Sequence, residues 1–255
     1  MRGAAAVGTL SLTLGMLSTT PALAATVTID QVQGTGDRSD MVNDEVTLEG
    51  VYVTAKYTTP SGGFRGFTVQ TAGTGGTRSA DDTASDAIFV FADGPESIYS
   101  DLQIGDAINV TGVVDEYSGL TEIKIKQASA ITKATNAGDK PTPVTNAWTD
   151  FDSNEKRESV ESMLYEGTTE FVLANNYPLG RYGELGLAVG EVPIQPTEVG
   201  APGSDEAAAQ AKKNVTISVG LDDGTNQGFF RDASKGYDAR TLPYLEDGVL
   251  SAVGD

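Results

Sequence analysis

The chain has 255 residues, with 36 acidic and 17 basic side chains for a net charge of −19, and it contains neither histidine nor cysteine. The missing cysteines exclude disulfides and thiol nucleophiles, and the missing histidines exclude Ser-His-Asp triads and histidine-ligated metals. The acidic balance argues against strong nonspecific binding to nucleic acid, because such binding depends on Lys and Arg contacts to phosphates.

The first 24 residues have the pattern of a secretory signal peptide. Arg2 precedes the apolar run 4–17, and the small residues Ala22 and Ala24 fit a cleavage site. The alternative is a membrane anchor, but this run is shorter than the roughly 20 residues that cross a bilayer. We therefore expect cleavage after Ala24, secretion to the extracellular space, and no membrane span in the remaining chain.

Between Thr26 and Thr132 the pattern is one of short strands separated by Gly- and Asp-containing turns. The predicted strands are 45–57, 64–71, 86–92, 106–117 and 120–132. Such a series predicts a mainly β fold with a five-stranded OB-like barrel over residues 26–135. A small antiparallel sandwich is the alternative.

Glycines interrupt two of these strands. In the first, Val46 and Leu48 share one face, whereas Val51 lies on the other, which predicts a bulge or bend at Gly50. The fourth strand has Gly112 in a similar place, and we expect it to be broken there in the same way. Curved strands of this kind are typical of a small barrel.

The insertion 73–86 between the second and third strands is rich in Gly and Asp. Asp81, Asp82 and Asp86 are candidate oxygen ligands for a hard cation such as calcium. Their spacing does not match an EF-hand loop, and a polar surface loop explains the composition better. No metal site is assigned on this basis.

The Pro- and Asn-containing stretch 136–152 predicts a linker, followed by a second β-rich module over 153–255. Two short helices are predicted in this module, over 153–165 and 202–214, with Ser153 and Ser204 as their N-caps. In the second helix Lys212 and Lys213 fall in the last predicted turn, and a strand over 215–224 follows. The final residues 252–255 resemble 103–106, which lead into a strand, so we expect this module to be incomplete at its C-terminus.

Several motifs occur together and in order. They are NNYPLGRYGELGL (175–187), PIQPTEV (193–199), APGSDEAAAQA (201–211) and LDDGTNQG (221–228). This series resembles the middle region of large secreted bacterial nucleases that end in an endonuclease/exonuclease/phosphatase-type catalytic domain. The segments 29–54, 62–71, 85–91 and 104–123 resemble the OB-fold-like N-terminal domain of the same family.

The resemblance implies an extracellular nuclease that hydrolyses DNA or RNA with a divalent metal (Mg, Mn or Ca) in a C-terminal domain beyond these residues. This chain would be its noncatalytic part, with no cofactor of its own, and its partner would be the catalytic domain of the same polypeptide. No catalytic residue is carried over. A stand-alone secreted module that binds oligosaccharide or single-stranded nucleic acid remains an alternative, and a carboxylate-based hydrolase has no motif in its favour.

Two groups of residues are candidates for contact with nucleic acid or with the catalytic domain. Arg181 and Tyr182 belong to the most specific motif, where an arginine binds phosphate and a ring stacks on a base. The alternative is a packed turn in which Arg181 pairs with Glu184. A second group lies on the strand face that OB folds use for ligands, although aromatic residues on short strands are more often core. This group comprises Tyr57, Phe64, Arg65 and Phe67.

Overall fold

The computed structural model describes residues 24–58 and 65–222, except for the side chains of Thr58 and Arg181. Residues 1–23 of the predicted signal peptide (1–24), Phe64, and the segment after Asp222 lie outside the described residues. Within the described part of the chain, the strands are β1 (Ala25–Thr26), β2 (Glu45–Thr58), β3 (Arg65–Gln70), β4 (Ala87–Ala92), β5 (Ala107–Tyr117), β6 (Leu120–Ile125), β7 (Ile131–Lys133), β8 (Phe171–Asn175), β9 (Leu185–Val189) and β10 (Ser218–Leu221). The α-helices in the same part are α1 (Ile29–Gln33), α2 (Asn154–Glu158), α3 (Leu179–Tyr182) and α4 (Asp205–Ile217).

Five strands form a closed barrel in the order β2-β3-β4-β6-β5, and β5 returns to pair with β2. The pairing of β4 with β6 is parallel, and the other four barrel pairings are antiparallel. β1 adds to β2, and β7 adds to β5. The mainly β fold with an OB-like five-stranded barrel and a second β-rich unit is therefore confirmed.

The two interrupting glycines behave differently. At Gly50, which has φ +67°, the pairing of β2 with β5 shifts register between Leu48 and Val51, so the predicted bulge is confirmed. At Gly112 the pairing continues without a shift, and inward positions alternate regularly from Ile108 to Val114. The predicted break at Gly112 is therefore wrong. A Cβ there would lie 2.6 Å from the Ile123 side chain, so this glycine permits close approach of β6.

Side chains that point inward fill the barrel. The fully buried members include Phe67, Leu48, Ile88, Ile108, Ile123 and Ile125. Helix α1 contributes Ile29 and Val32 to the same core. Burial of each such side chain contributes about 1.5–3 kcal/mol of transfer free energy, which is the main favourable contribution in a chain without disulfides.

Residues 136–152, predicted to be a linker, follow the surface of the barrel. The Tyr52 hydroxyl donates a hydrogen bond to the Gly138 carbonyl at 2.7 Å, and Val144 is fully buried. Val144 also forms parallel bridges to Gly76 on one side and Tyr165 on the other. This segment therefore joins residues 162–165 to the barrel.

The helix predicted over 153–165 is much shorter in the structure. Ser153 caps it as predicted, since its side chain accepts a hydrogen bond from the Lys156 N–H, but α2 ends at Glu158. Beyond it, the Ser85 hydroxyl donates to the Glu161 carbonyl at 2.6 Å, and Ser162 has φ +61°. Beyond α2 the segment forms single turns, such as the one in which the Met163 N–H donates to the Val160 carbonyl, together with contacts to the barrel.

The second unit is built on an antiparallel sheet in the order β10-β9-β8, with a small core of Leu173, Leu179 and Leu185. Ser204 caps α4 as predicted, but the helix continues to Ile217, so the predicted strand over 215–224 begins only at Ser218. The predicted placement of Lys212 and Lys213 in the last turn, next to the negative end of the helix dipole, is therefore wrong, because the last turn of α4 lies beyond them. Instead, Lys213 forms an ion pair with Glu191.

Candidate functional site

The outer face of the barrel carries an aromatic and polar surface because strand side chains alternate between inside and outside. The register aligns Thr68, Phe89 and Glu122 across β3, β4 and β6. The next row contains Gly66, Phe91 and Lys124. This is the surface formed by the second, third and fifth barrel strands, in the region where OB folds bind oligonucleotides and oligosaccharides.

A groove of about 300 Å³ lies on this face. Tyr57, Phe89 and Leu120 line it on the barrel side, together with the hydroxyl-bearing Thr54 and Thr68. The opposite wall is formed by residues 162–165, which we call the strap. The groove is thus enclosed on two sides, and its volume is at the lower limit of known small-molecule sites.

Hydrogen bonds hold the strap against the barrel. The Leu164 N–H donates to the side-chain oxygen of Gln70 at 3.1 Å, and Gln70 is fully buried. The Val144 N–H donates to the Leu164 carbonyl at 2.8 Å, and the Tyr165 hydroxyl donates to the Asn146 carbonyl at 3.0 Å. These contacts fix the strap on both sides, so the groove is preformed.

The strap also rests on an aromatic cluster. The ring of Tyr165 lies 5.8 Å from that of Trp148 and 6.4 Å from that of Phe151, both edge to face. The Arg157 guanidinium stacks on Trp148 at 5.6 Å and donates to the Val215 carbonyl in α4. This arrangement connects the strap to the second unit.

Glu122 is the buried acid of the outer face, with 4% of its surface exposed. Burial raises the pKa of its carboxyl to about 7, an effect that nearby Lys124 opposes and that Asp115 and Glu116 reinforce. No hydrogen bond to this carboxyl is found among the described residues. Lys124 itself forms an ion pair with Asp115, the residue opposite Glu122 on β5.

Two cations flank the ring of Phe91. The Arg65 guanidinium lies 5.9 Å from the ring centroid, and the Lys124 ammonium lies 5.8 Å from it. Arg65 also donates to the Gly94 carbonyl at 3.1 Å. Both cations are therefore bound to neighbouring groups of the protein rather than directed into the groove.

The structure separates the predicted barrel residues. Tyr57 lines the groove, and Arg65 lies beside Phe91 on the same face. Phe67 instead points into the core, is fully buried and packs against Tyr99 with ring centroids 6.1 Å apart. A surface contact by Phe67 is therefore excluded by its burial, and the alternative core interpretation applies to it.

The predicted pair Arg181 and Tyr182 lies at the end of α3, in the connection between β8 and β9. Leu179 anchors this helix in the small leucine core, and Gly183 ends it with a left-handed φ of +73°. The side chain of Tyr182 is 38% exposed, whereas that of Arg181 lies outside the described part of the structure. A contact function for this pair remains a prediction.

The three aspartates of the insertion 73–86 have different surroundings and do not form a common site. Asp86 pairs with the buried Arg78 at 2.5 Å, and Asp82 accepts hydrogen bonds from the Ser79 N–H and hydroxyl. These bonds from Ser79 lower the pKa of Asp82. Asp81 is exposed, and within residues 24–58 and 65–222 no group of three potential ligands suited to a metal ion is found.

Most of the groove is not evident from the sequence. The sequence predicts strands at Phe89 and Leu120, and the outward direction of both side chains follows from the alternation in β4 and β6. The same alternation places Glu122 on the outer face of the barrel. Nothing in the sequence indicates that its side chain is buried there. The strap was predicted as helix, and no local signal distinguishes it.

The fold and the groove define a mainly β protein with an OB-like barrel and a preformed site on its outer face. No protein-family model matches the chain, and comparison with curated proteins finds no match. In the part of the chain that the structure describes, no helix has the length and apolar character needed to cross a membrane.

Proposed function

We propose that this chain is the noncatalytic N-terminal region of an extracellular, metal-dependent nuclease, and that it positions the catalytic domain or its substrate. The observation that carries the proposal is the OB-like barrel with a preformed groove on its outer face, which is an architecture for binding. The motif resemblance over 175–228 supplies the nuclease assignment, and the catalytic chemistry belongs to a domain C-terminal to this chain.

The connection between the barrel and the second unit supports a positioning role. Arg157 stacks on Trp148 beside the strap. Its Nε donates to the Phe151 carbonyl, and its Nη2 donates to the Val215 carbonyl. The planar guanidinium is preorganised, so each hydrogen bond that it forms costs little side-chain entropy. Its bonds therefore hold α4 near the barrel. Arg157 thereby connects the second unit to the barrel.

The test compares two purified proteins for divalent-metal-dependent cleavage of plasmid DNA and of RNA. One is the 255-residue chain, and the other is the product of the gene translated beyond Asp255. We expect only the longer product to cut, and only with Mg²⁺, Mn²⁺ or Ca²⁺ present. Cleavage by the 255-residue chain would overturn the noncatalytic assignment.

A stand-alone secreted binding module is the second candidate, and the groove itself favours it. Its walls are preformed by strap and barrel, so ligand binding needs no further domain. A stop codon directly after Asp255, together with ligand binding by the isolated chain, would replace the nuclease proposal with this one.

A further inference from the structure

The shape of the groove favours a ligand with flat apolar faces. The aromatic side chains Tyr57, Phe89 and Tyr165 line it together with Leu120, Met163 and Leu164. Rings and aliphatic side chains bury the apolar faces of pyranose rings or bases against them. The groove is open along one side, so a chain of such rings can extend beyond it.

The polar groups at the groove favour a ligand rich in hydroxyls. The hydroxyl groups of Thr68 and Ser162 line the groove and make no hydrogen bond with other described residues. Glu122 lies on the same face but outside the groove lining; 4% of its surface is exposed, and its carboxyl makes no hydrogen bond among the described residues. These groups keep donor and acceptor capacity that the hydroxyls of a ligand can use.

The charges argue against a phosphate backbone in the groove. Among the residues that the structure describes, no Lys or Arg lines the groove. The neighbouring cations are occupied, since Lys124 pairs with Asp115 and Arg65 donates to the Gly94 carbonyl. The chain as a whole carries a net charge of −19, which repels a polyanion. A neutral ligand meets none of this repulsion.

From these three observations we infer that the groove between the strap and the outer face of the barrel binds a neutral oligosaccharide. One sugar ring packs against Tyr57, and ring hydroxyls bond to Thr68 and Ser162. This inference does not depend on the nuclease assignment. In a nuclease, the site would attach the enzyme to a glycan-bearing surface and leave nucleic acid to other parts of the protein.

Isothermal titration calorimetry of the full chain tests the inference with soluble neutral glucans of β-1,3, β-1,4 and α-1,4 linkage, an N-acetylglucosamine oligomer, and oligo-dT. We expect one of the neutral glycans to bind in the micromolar to millimolar range, with an affinity that does not change between low and high salt. Failure of all four glycans to bind would overturn the inference, as would salt-dependent binding of oligo-dT that a glycan cannot displace.

Variants locate the binding. Tyr57→Ala should weaken glycan binding about tenfold, which corresponds to about 1.4 kcal/mol, because it removes the ring that packs on the sugar. Thr68→Val removes one hydroxyl at nearly constant shape and should weaken binding several-fold. Tyr57→Phe keeps the ring and should retain most of the affinity, which separates a binding defect from misfolding. Tyr177→Ala, at a residue that is 92% exposed in the second unit, is the matched control. Equal glycan affinity in Tyr57→Ala and Tyr177→Ala would place the ligand elsewhere and overturn the site.

Discussion

The side-chain oxygen of Gln70, at the end of β3, accepts a hydrogen bond from the Leu164 N–H at 3.1 Å across a separation of 94 residues. The amide nitrogen of the same side chain donates to the Thr142 carbonyl at 3.4 Å and to the Thr74 hydroxyl at 3.2 Å. One buried side chain therefore joins the barrel to the segment that wraps it. The strap, and with it the groove, depends on this residue.

Replacement of Gln70 should destabilise the protein and release the strap. In Gln70→Ala the Leu164 N–H loses its partner, which costs about 1–3 kcal/mol for a buried group, in addition to the cavity left behind. Urea unfolding measures the loss. Gln103→Ala, at an exposed position, should change the unfolding free energy by less than about 0.5 kcal/mol. Equal effects of the two substitutions would show that the Gln70 contacts contribute nothing.

The ion pair of Arg78 with Asp86 fixes the insertion to the strap side of the barrel. The Arg78 side chain is 8% exposed, and its guanidinium also donates to the carbonyls of Ala84 and Ser159. Asp86→Asn should cost about 3 kcal/mol, because it leaves a buried cation without its counter-charge.

The matched control for this pair is Asp152→Asn, which removes the exposed partner of Lys156. It should leave the thermal midpoint nearly unchanged, since exposed ion pairs contribute little. Addition of calcium or EDTA should not shift the melting temperature of the wild type, because Asp86 is bound to Arg78. A calcium-dependent rise in the melting temperature of the wild type would contradict this account and restore the insertion as a metal loop.

Glu161 should make stability depend on pH. Burial raises the pKa of its carboxyl from 4.5 to about 7; nearby Glu158 and Glu116 reinforce the shift, and a hydrogen bond from Gln33 opposes it. The folded state therefore binds this proton more tightly than the unfolded chain. The protonated Glu161 carboxyl therefore contributes its full stabilisation below about pH 4.5, and this stabilisation is lost as the pH rises through 7.

Glu161→Gln removes this titration while keeping a similar shape. Relative to wild type, its unfolding free energy should rise between pH 5 and pH 8 by on the order of 1–2 kcal/mol. Glu198→Gln, at an exposed carboxyl of the second unit, provides the comparison and should show no such rise. Denaturant unfolding at the two pH values gives both differences, and parallel curves for Glu161→Gln and wild type would refute the prediction.

Gly112 should tolerate no side chain. A Cβ at this position would lie 2.6 Å from the Ile123 side chain and 2.7 Å from the Lys124 carbonyl, so Gly112→Ala forces β5 and β6 apart at a cost of about 1–3 kcal/mol. Gly36→Ala is the control, since nothing lies within 4 Å of its Cβ position. A Gly112→Ala variant as stable as Gly36→Ala would show that the barrel accommodates the extra methyl group.

The sequence was most informative where the cause is local. Ser153 and Ser204 cap their helices as predicted, because an N-cap acts on N–H groups two or three residues away. The bulge at Gly50 follows from a change in the apolar pattern of a single strand. The break expected at Gly112 failed because this glycine is required by another strand, which a local pattern does not reveal.

By itself the sequence determined the mainly β class, the approximate positions of the barrel strands and the helix caps. Alternation of side chains and capping are properties of neighbouring residues, and they are therefore encoded locally. The tertiary structure alone decided that 136–165 packs on the barrel, that α2 stops at Glu158 and that Phe67 is core while Tyr57 lines a groove. It also decided the burial of Glu122. These features arise from contacts between residues far apart in the chain, such as Gln70 with Leu164, where burial and hydrogen bonding override local propensity.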